Sequence, residues 1–182
     1  MSKEYVPQQH IVEYDANFTK LASSFRCGND HIDSFLRSPM ALDYGIGKTY
    51  IWLNEDESEI MGFYNITTGS VEELIDGKIC KVGSAIHINE FAIDETYQKT
   101  FFNEEERIYI SDILLYDCIE RVEYIRHHHV GLTFVTLAST KEGINLYQRN
   151  DFETMEDDMQ IPILEDKEYN CIPMYLPLDI EK

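Results

Sequence analysis

The 182-residue chain predicts an α/β fold over Met1–Lys182: one domain with a mixed, mostly antiparallel central sheet, a bulged central strand and flanking helices. Three stretches carry this reading. Gly131–Phe152 runs strand, helix, strand. Ala85–Asp94 alternates like a strand but changes parity part-way along. Ile108–His129 shows the apolar stripe of a long helix packed on a sheet.

Taken in order, Glu4–Tyr14 ends in HIVEY and predicts a first strand, with Pro7 restricting where pairing begins. Phe25–Asp30 is a turn into a helix. Asn29 or Asp30 is its cap, and Ile32, Phe35 and Leu36 form the i, i+3, i+4 stripe that Pro39 ends or kinks. Gly47-Lys48-Thr49 invites a phosphate-loop reading, which fails twice. Leu42 stands where the first glycine must be, and Thr49–Leu53 reads as a strand. Thr49–Leu53 and Ile60–Thr68 predict a hairpin around the acidic turn Asn54–Glu59, and Lys78–Ser84 predicts a second loop.

In Ala85–Asp94, Ile86 and Ile88 share one parity while Phe91 and Ile93 share the other. A β-bulge of one residue near Asn89-Glu90 reconciles them. In Ile108–His129, Ile110, Ile113, Leu114, Cys118, Val122 and Ile125 recur at helical steps. His127-His128-His129 does not predict a metal site, because successive helical residues point in different directions. Cations there complement the helix dipole instead.

Leu132, Phe134, Val135 and Leu137 predict a strand covered on both faces. Ser139-Thr140-Lys141-Glu142 fits the capping box S-x-x-E. Gly143, Ile144 and Tyr147 share one helix face, and Asn150-Asp151 ends the helix in a left-handed turn. Thr154–Ile163 and Glu168–Leu178 predict closing strands, Glu156-Asp157-Asp158 a solvated turn, and Pro173 and Pro177 an edge position for the last strand.

Composition narrows the function. Hydrophobic content of 43% and charged content of 27% are ordinary for a soluble globular protein. No apolar run reaches a membrane span and Met1–Asp15 lacks the pattern of a signal peptide, so a cytoplasmic protein without membrane contact is predicted. Cys27, Cys80, Cys118 and Cys171 are widely spaced, which argues against a disulfide framework or zinc knuckle. The net charge of −19 favours a cationic partner and, with no basic patch visible, predicts that nucleic acid is not one.

LYQRNDF, at the end of the strand–helix–strand unit, resembles the corresponding stretch of GNAT-type N-acetyltransferases, which reads like LYEKLGF. Phe25-x-Cys27-Gly28 with the following D-x-F-L helix, and Asn170–Tyr175, are similar to bacterial members. The likeness extends from Phe25 to Leu178.

The resemblance implies acetyl-CoA as co-substrate and a small-molecule or peptidyl amine as acceptor. It implies Tyr147 as general acid on the coenzyme A thiolate and Glu90 as general base, directly or through water. The amides of Phe91, Ala92 and Ile93 would face the thioester carbonyl, a small oxyanion site. Gln98, Lys99, Arg107 and Thr140 would complete the coenzyme site.

The family's glycine-rich pyrophosphate loop is missing. Phe101 and Asn103 stand where its glycines belong, beside Glu104–Glu106. The rival reading is an inactive acetyltransferase fold that binds a ligand or protein. A third, a toxin acetylating aminoacyl-tRNA, conflicts with the charge. A homodimer stays open.

Overall fold

The computed structural model describes residues 10–162 and 171–178. The predicted strand residues 4–9, the acidic joining loop and the first residues of the last predicted strand, 168–170, lie outside the described residues. The elements follow as β1 (Ile11–Glu13), α1 (Thr19–Ala22), α2 (Asp30–Arg37), β2 (Lys48–Leu53), β3 (Ile60–Ile75), β4 (Lys78–Ile93), β5 (Phe101–Asn103), β6 (Ile108–Tyr109), α3 (Ile110–His128), β7 (Phe134–Ser139), α4 (Ile144–Gln148), β8 (Glu153–Thr154), β9 (Met159–Gln160) and β10 (Ile172–Pro177).

The strand order is β1-β2-β3-β4-β7-β10-β8, with β9 beside β3 and β5–β6 as a separate ladder. β4 and β7 run parallel, while β1–β2, β2–β3, β3–β9, β7–β10 and β8–β10 are antiparallel. This is the mixed, mostly antiparallel sheet flanked by helices that the sequence predicts. Among the described residues no helix is long and apolar enough to cross a membrane.

The described residues form two compact units, 10–66 with 89–121, and 67–88 with 122–162 and 171–178. In the first, α2 is capped as predicted: Asn29 Oδ1 accepts the His31 and Ile32 amides at 3.0 and 3.4 Å. Its Phe35 ring stacks 6.3 Å from Phe63 of β3, and Phe25 meets Phe63 edge-on at 5.3 Å. Tyr14, Ala22, Leu36, Ala41, Ile51, Leu53, Ile60 and Ala92 complete that core. The predicted hairpin is β2–β3, with one extra residue, Met61, where Trp52 pairs Gly62 and Leu53 pairs Ile60.

In the second unit, Val71, Ile86, Val122, Val135, Leu137 and Met174 are buried. The predicted loop Lys78–Ser84 is a strand instead. Asp76 and Gly77, at φ 49° and 76°, form a tight turn that joins β3 directly to β4. Both positive φ values suit the two-residue hairpin turn that Asp-Gly favours. The capping box does not form either. Ser139 is still a strand residue, paired with Ile172 of β10, and α4 starts only at Ile144 with no side-chain cap. Asp151 at φ 66° ends α4 in the predicted left-handed turn.

Thr154–Ile163 yields two short strands, β8 and β9, separated by the acidic turn. β10 is flanked on its outer side only at Met174 and Tyr175. The Pro173 carbonyl accepts the Met155 amide, so its ring nitrogen faces that outer side and costs the β7 ladder no donor.

Candidate active site

The predicted base lies in the first unit on the last residues of β4. The parallel ladder of β4 with β7 ends at Ile88↔Leu137, while β4 runs on to Ile93. The predicted bulge position, Asn89-Glu90, follows directly on the last pair of that ladder. Burial changes there: Ala85–Ile88 are buried, Asn89–Phe91 half-buried, and Ala92 and Ile93 buried again. The Asp94 amide donates to the Met61 carbonyl of β3. Strand alternation then turns the Ala92 amide to the β3 side and the Phe91 and Ile93 amides to the opposite side.

Glu90 has a side chain only 13% exposed, and burial alone pushes its carboxyl up to about 7. A carboxylate poised near neutrality is what a general base requires. His31 Nε2 of α2 lies 3.5 Å from Glu90 Oε1. Nothing in the sequence links these two residues, because the contact depends on how α2 packs.

Beside Glu90 the strand is braced by buried polar groups. Asn89 Nδ2 donates to the Ile46 carbonyl at 3.1 Å and to Asn65 Oδ1 at 2.6 Å. Asn65 Nδ2 donates to Thr49 Oγ1 at 2.9 Å, and Thr49 Oγ1 donates to the Ala41 carbonyl at 2.7 Å. Gly47 belongs to this brace. A β-carbon there would lie 2.5 Å from Asn65 Oδ1 and 2.7 Å from the Ile66 carbonyl. Its glycine serves backbone packing rather than a phosphate.

A second buried network ties α3 to β2 and β3. Tyr64 donates to Asp117 Oδ2 at 2.6 Å, Arg121 Nε donates to Tyr64 Oη at 2.7 Å, and the Arg121 guanidinium lies 3.8 Å over the Tyr50 ring. Burial raises the Tyr64 phenol well above its usual range. The Asp117–Arg121 spacing on α3 was the sequence signal for it.

The segment expected to grip pyrophosphate takes a different shape. Gln98 Nε2 donates to the Cys27 carbonyl at 2.8 Å and the Ile93 carbonyl at 3.0 Å, so its amide braces the end of β4. Lys99 and Arg107 are exposed and left-handed, at φ 59° and 56°. Between them β5 and β6 form a small hairpin, with Phe101 stacked 4.5 Å from Tyr109 and Phe102 tilted 6.5 Å from Trp52. At the start of α3, the Ile110 amide donates to the Thr100 carbonyl, and Asp112 Oδ2 accepts the Tyr109 amide at 2.9 Å. No glycine cradle is formed here.

The remaining candidates lie in the second unit. Thr140 Oγ1 accepts the Gly143 amide at 3.3 Å. A β-carbon on Gly143 would sit 3.1 Å from Ser139 Oγ and in ordinary contact, 3.4 Å, with Tyr147 Cε2. Tyr147 is 7% exposed and packs edge-on against Phe152 at 5.7 Å. In the same unit, His87 Nδ1 is 3.0 Å from Thr136 Oγ1, and burial lowers the imidazole to about 4. The sequence reading missed His87; a polar residue between Ile86 and Ile88 in a strand buried on both faces was its signal. At the end of α3, His128 Nδ1 is 2.9 Å from the Tyr124 carbonyl and its ring stacks 4.3 Å from Tyr124.

No protein-family model and no curated protein matches the chain. Solved structures do. One described as the crystal structure of a bacterial toxin aligns with a TM-score of 0.71 at 20% identity, covering 94% of this chain and 92% of that one. The KacTA–DNA complex aligns at 0.64 with 17% identity, covering 92% and 91%. A tyrosine-to-phenylalanine mutant of the toxin AtaT, bound to the C-terminus of the antitoxin AtaR and acetyl-CoA, aligns at 0.61 with 16% identity, covering 92% and 91%. Identities this low carry the fold and not the activity. The chain shares the fold of these toxin structures, the GNAT-type fold that the resemblance implies.

These structures also correct the expectation of no nucleic acid. They include the KacTA–DNA complex and an AtaT–AtaR complex bound to DNA. Net charge describes one chain alone, whereas a complex brings its partner's charge to the nucleic acid.

Proposed function

We propose that this chain is an acetyl-CoA-dependent N-acetyltransferase of the toxin type, working in the cytoplasm on a primary amine and neutralised by a protein antitoxin. The observation that carries the reading is Glu90: a buried carboxyl with its pKa near 7, just beyond the point where the β4–β7 ladder ends. The acetyl-CoA and antitoxin complexes of AtaT support the choice of co-substrate and partner.

In this reading the strand end offers the Ile93 amide to the acetyl end of the co-substrate. The neutral amine attacks the thioester carbonyl carbon. Glu90 takes the amine proton, directly or through one water, and Tyr147 gives its phenolic proton to the thiolate as the C–S bond breaks.

The test is calorimetry with acetyl-CoA and free coenzyme A at moderate salt, followed by acetyl transfer to a panel of amines. Saturable binding and transfer are expected. Tyr147→Phe is expected to cut kcat by about a hundredfold or more while coenzyme affinity holds. No heat at millimolar acetyl-CoA refutes the reading.

A second reading, a binding module that catalyses nothing, is favoured by one observation. The pyrophosphate segment is occupied by the Phe101–Tyr109 stack and by the Thr100 and Asp112 acceptors. Antitoxin binding without coenzyme binding supports that reading instead.

A further inference from the structure

Glu90 is buried, so a proton accepted there has to leave by a defined route. α2 supplies a candidate. Its first turn is fixed by the Asn29 cap, whose side chain accepts the His31 and Ile32 amides, and its inner face is fixed by Phe35 against Phe63. The His31 backbone is therefore held in place while its imidazole, with a side chain 56% exposed, reaches from solvent to within 3.5 Å of the carboxylate.

Of the other charged groups of α2, Asp30 lies in the same first turn as His31, and Asp33 and Arg37 have partners elsewhere. Asp33 accepts the Cys27 amide at 2.8 Å and lies 3.3 Å from Arg37, which donates to the Phe25 carbonyl. On β4 the residues flanking Glu90 are the neutral Asn89 and Phe91.

We infer that His31 is a proton-relay residue that carries the proton from the buried Glu90 carboxyl to bulk solvent, and so resets the base between turnovers. The inference rests on the acetyltransferase reading. The ammonium formed by amine attack loses its proton to Glu90. The carboxyl then passes that proton from Oε1 to the lone pair of His31 Nε2. The resulting imidazolium releases the Nδ1 proton to water, leaving a neutral imidazole and an ionised carboxylate. No oxidant or further reactant is needed. The 3.5 Å separation puts one imidazole nitrogen beside the carboxyl while the side chain stays more than half exposed.

The experiment compares wild type, His31→Ala and His31→Gln at saturating acetyl-CoA, over a range of imidazole-buffer concentrations and pH. Both variants are expected to lose about tenfold in kcat at low buffer, with KM for acetyl-CoA unchanged. Added imidazole is expected to restore the rate, while wild type stays insensitive to buffer. A structural role for His31 would give a loss that no buffer repairs. Full activity in both variants at low buffer, or a loss that imidazole does not restore, overturns the relay and leaves the acetyltransferase reading standing. Absence of transfer by wild type overturns that reading and the relay with it.

Discussion

Glu90→Gln offers a test of the site that needs no substrate. Burial raises the Glu90 carboxyl from 4.5 to about 7. At about 1.4 kcal/mol per pKa unit, that rise corresponds to a destabilisation of about 3 kcal/mol once the group is ionised. The folded chain binds more protons at this site than the unfolded chain between the two values. The contribution to stability is therefore fully present below pH 4.5 and is lost as pH rises through about 7. Glutamine has the shape of the protonated acid and no charge. Near pH 8 the variant is expected to exceed wild type by up to about 3 kcal/mol, with the gap closing towards pH 4.5. Urea unfolding followed by the buried Trp52, which lies in the same unit, measures this at several pH values. A stability difference that stays constant with pH refutes the argument that Glu90 is a desolvated acid.

Three further outcomes follow from packing and charge. Gly47→Ala is expected to cost about 2 kcal/mol or more in urea unfolding, because Asn65 is pinned by Asn89 and Thr49 and the Ile66 carbonyl is backbone. A neutral substitution would show that the brace yields. Arg121→Ala removes the cation from the fully buried Asp117 carboxylate and is expected to cost about 3 kcal/mol by the same assay; a loss under about 1 kcal/mol would show the pair to be dispensable. His87 acts in the opposite sense to Glu90. Its stability contribution is present above pH 6.5 and is lost as pH falls through about 4, so His87→Gln is expected to flatten the acid limb of the stability curve.

The elements that could be read from the sequence are those whose signal is local. Asn29 capped α2 because its side chain satisfies amides two and three residues away, and Asp151 took the left-handed turn that a short polar residue tolerates. Lys78–Ser84 was misread for a physical reason. Ile79 and Val82 are 62% and 39% exposed, so this strand rests on backbone pairing and shows no inward-facing apolar pattern. Asp76-Gly77, a dipeptide suited to a two-residue hairpin turn, is the local signal for the strand that follows. Ser139 could not cap a helix because β10, distant in sequence, holds it in the sheet. His31 left no trace at all, since only the packing of α2 brings it to Glu90. Charge misled in another way. A value of −19 sums over one chain and does not describe the surface a complex presents.

The coenzyme's two ends are expected to contribute unequally, and the segment before α3 says how. Where a glycine-rich loop holds a pyrophosphate, it supplies several charge-assisted hydrogen bonds, each about 1.5–3 kcal/mol. Here the Ile110 amide goes to the Thr100 carbonyl, Asp112 takes the Tyr109 amide, and Phe101 covers Tyr109. Glu104–Glu106, all exposed in the β5–β6 turn, add negative charge where phosphate would approach. Acetyl-CoA should therefore bind this chain less than about tenfold more tightly than acetyl-pantetheine, which lacks the nucleotide and its phosphates. Rising salt should tighten acetyl-CoA binding by screening repulsion, and leave acetyl-pantetheine unchanged. Calorimetry with both ligands at two ionic strengths decides it. A preference above about a hundredfold for acetyl-CoA, weakening with salt, would mean that Lys99, Arg107 or the helix amides still hold the phosphates, and would refute this account of the segment.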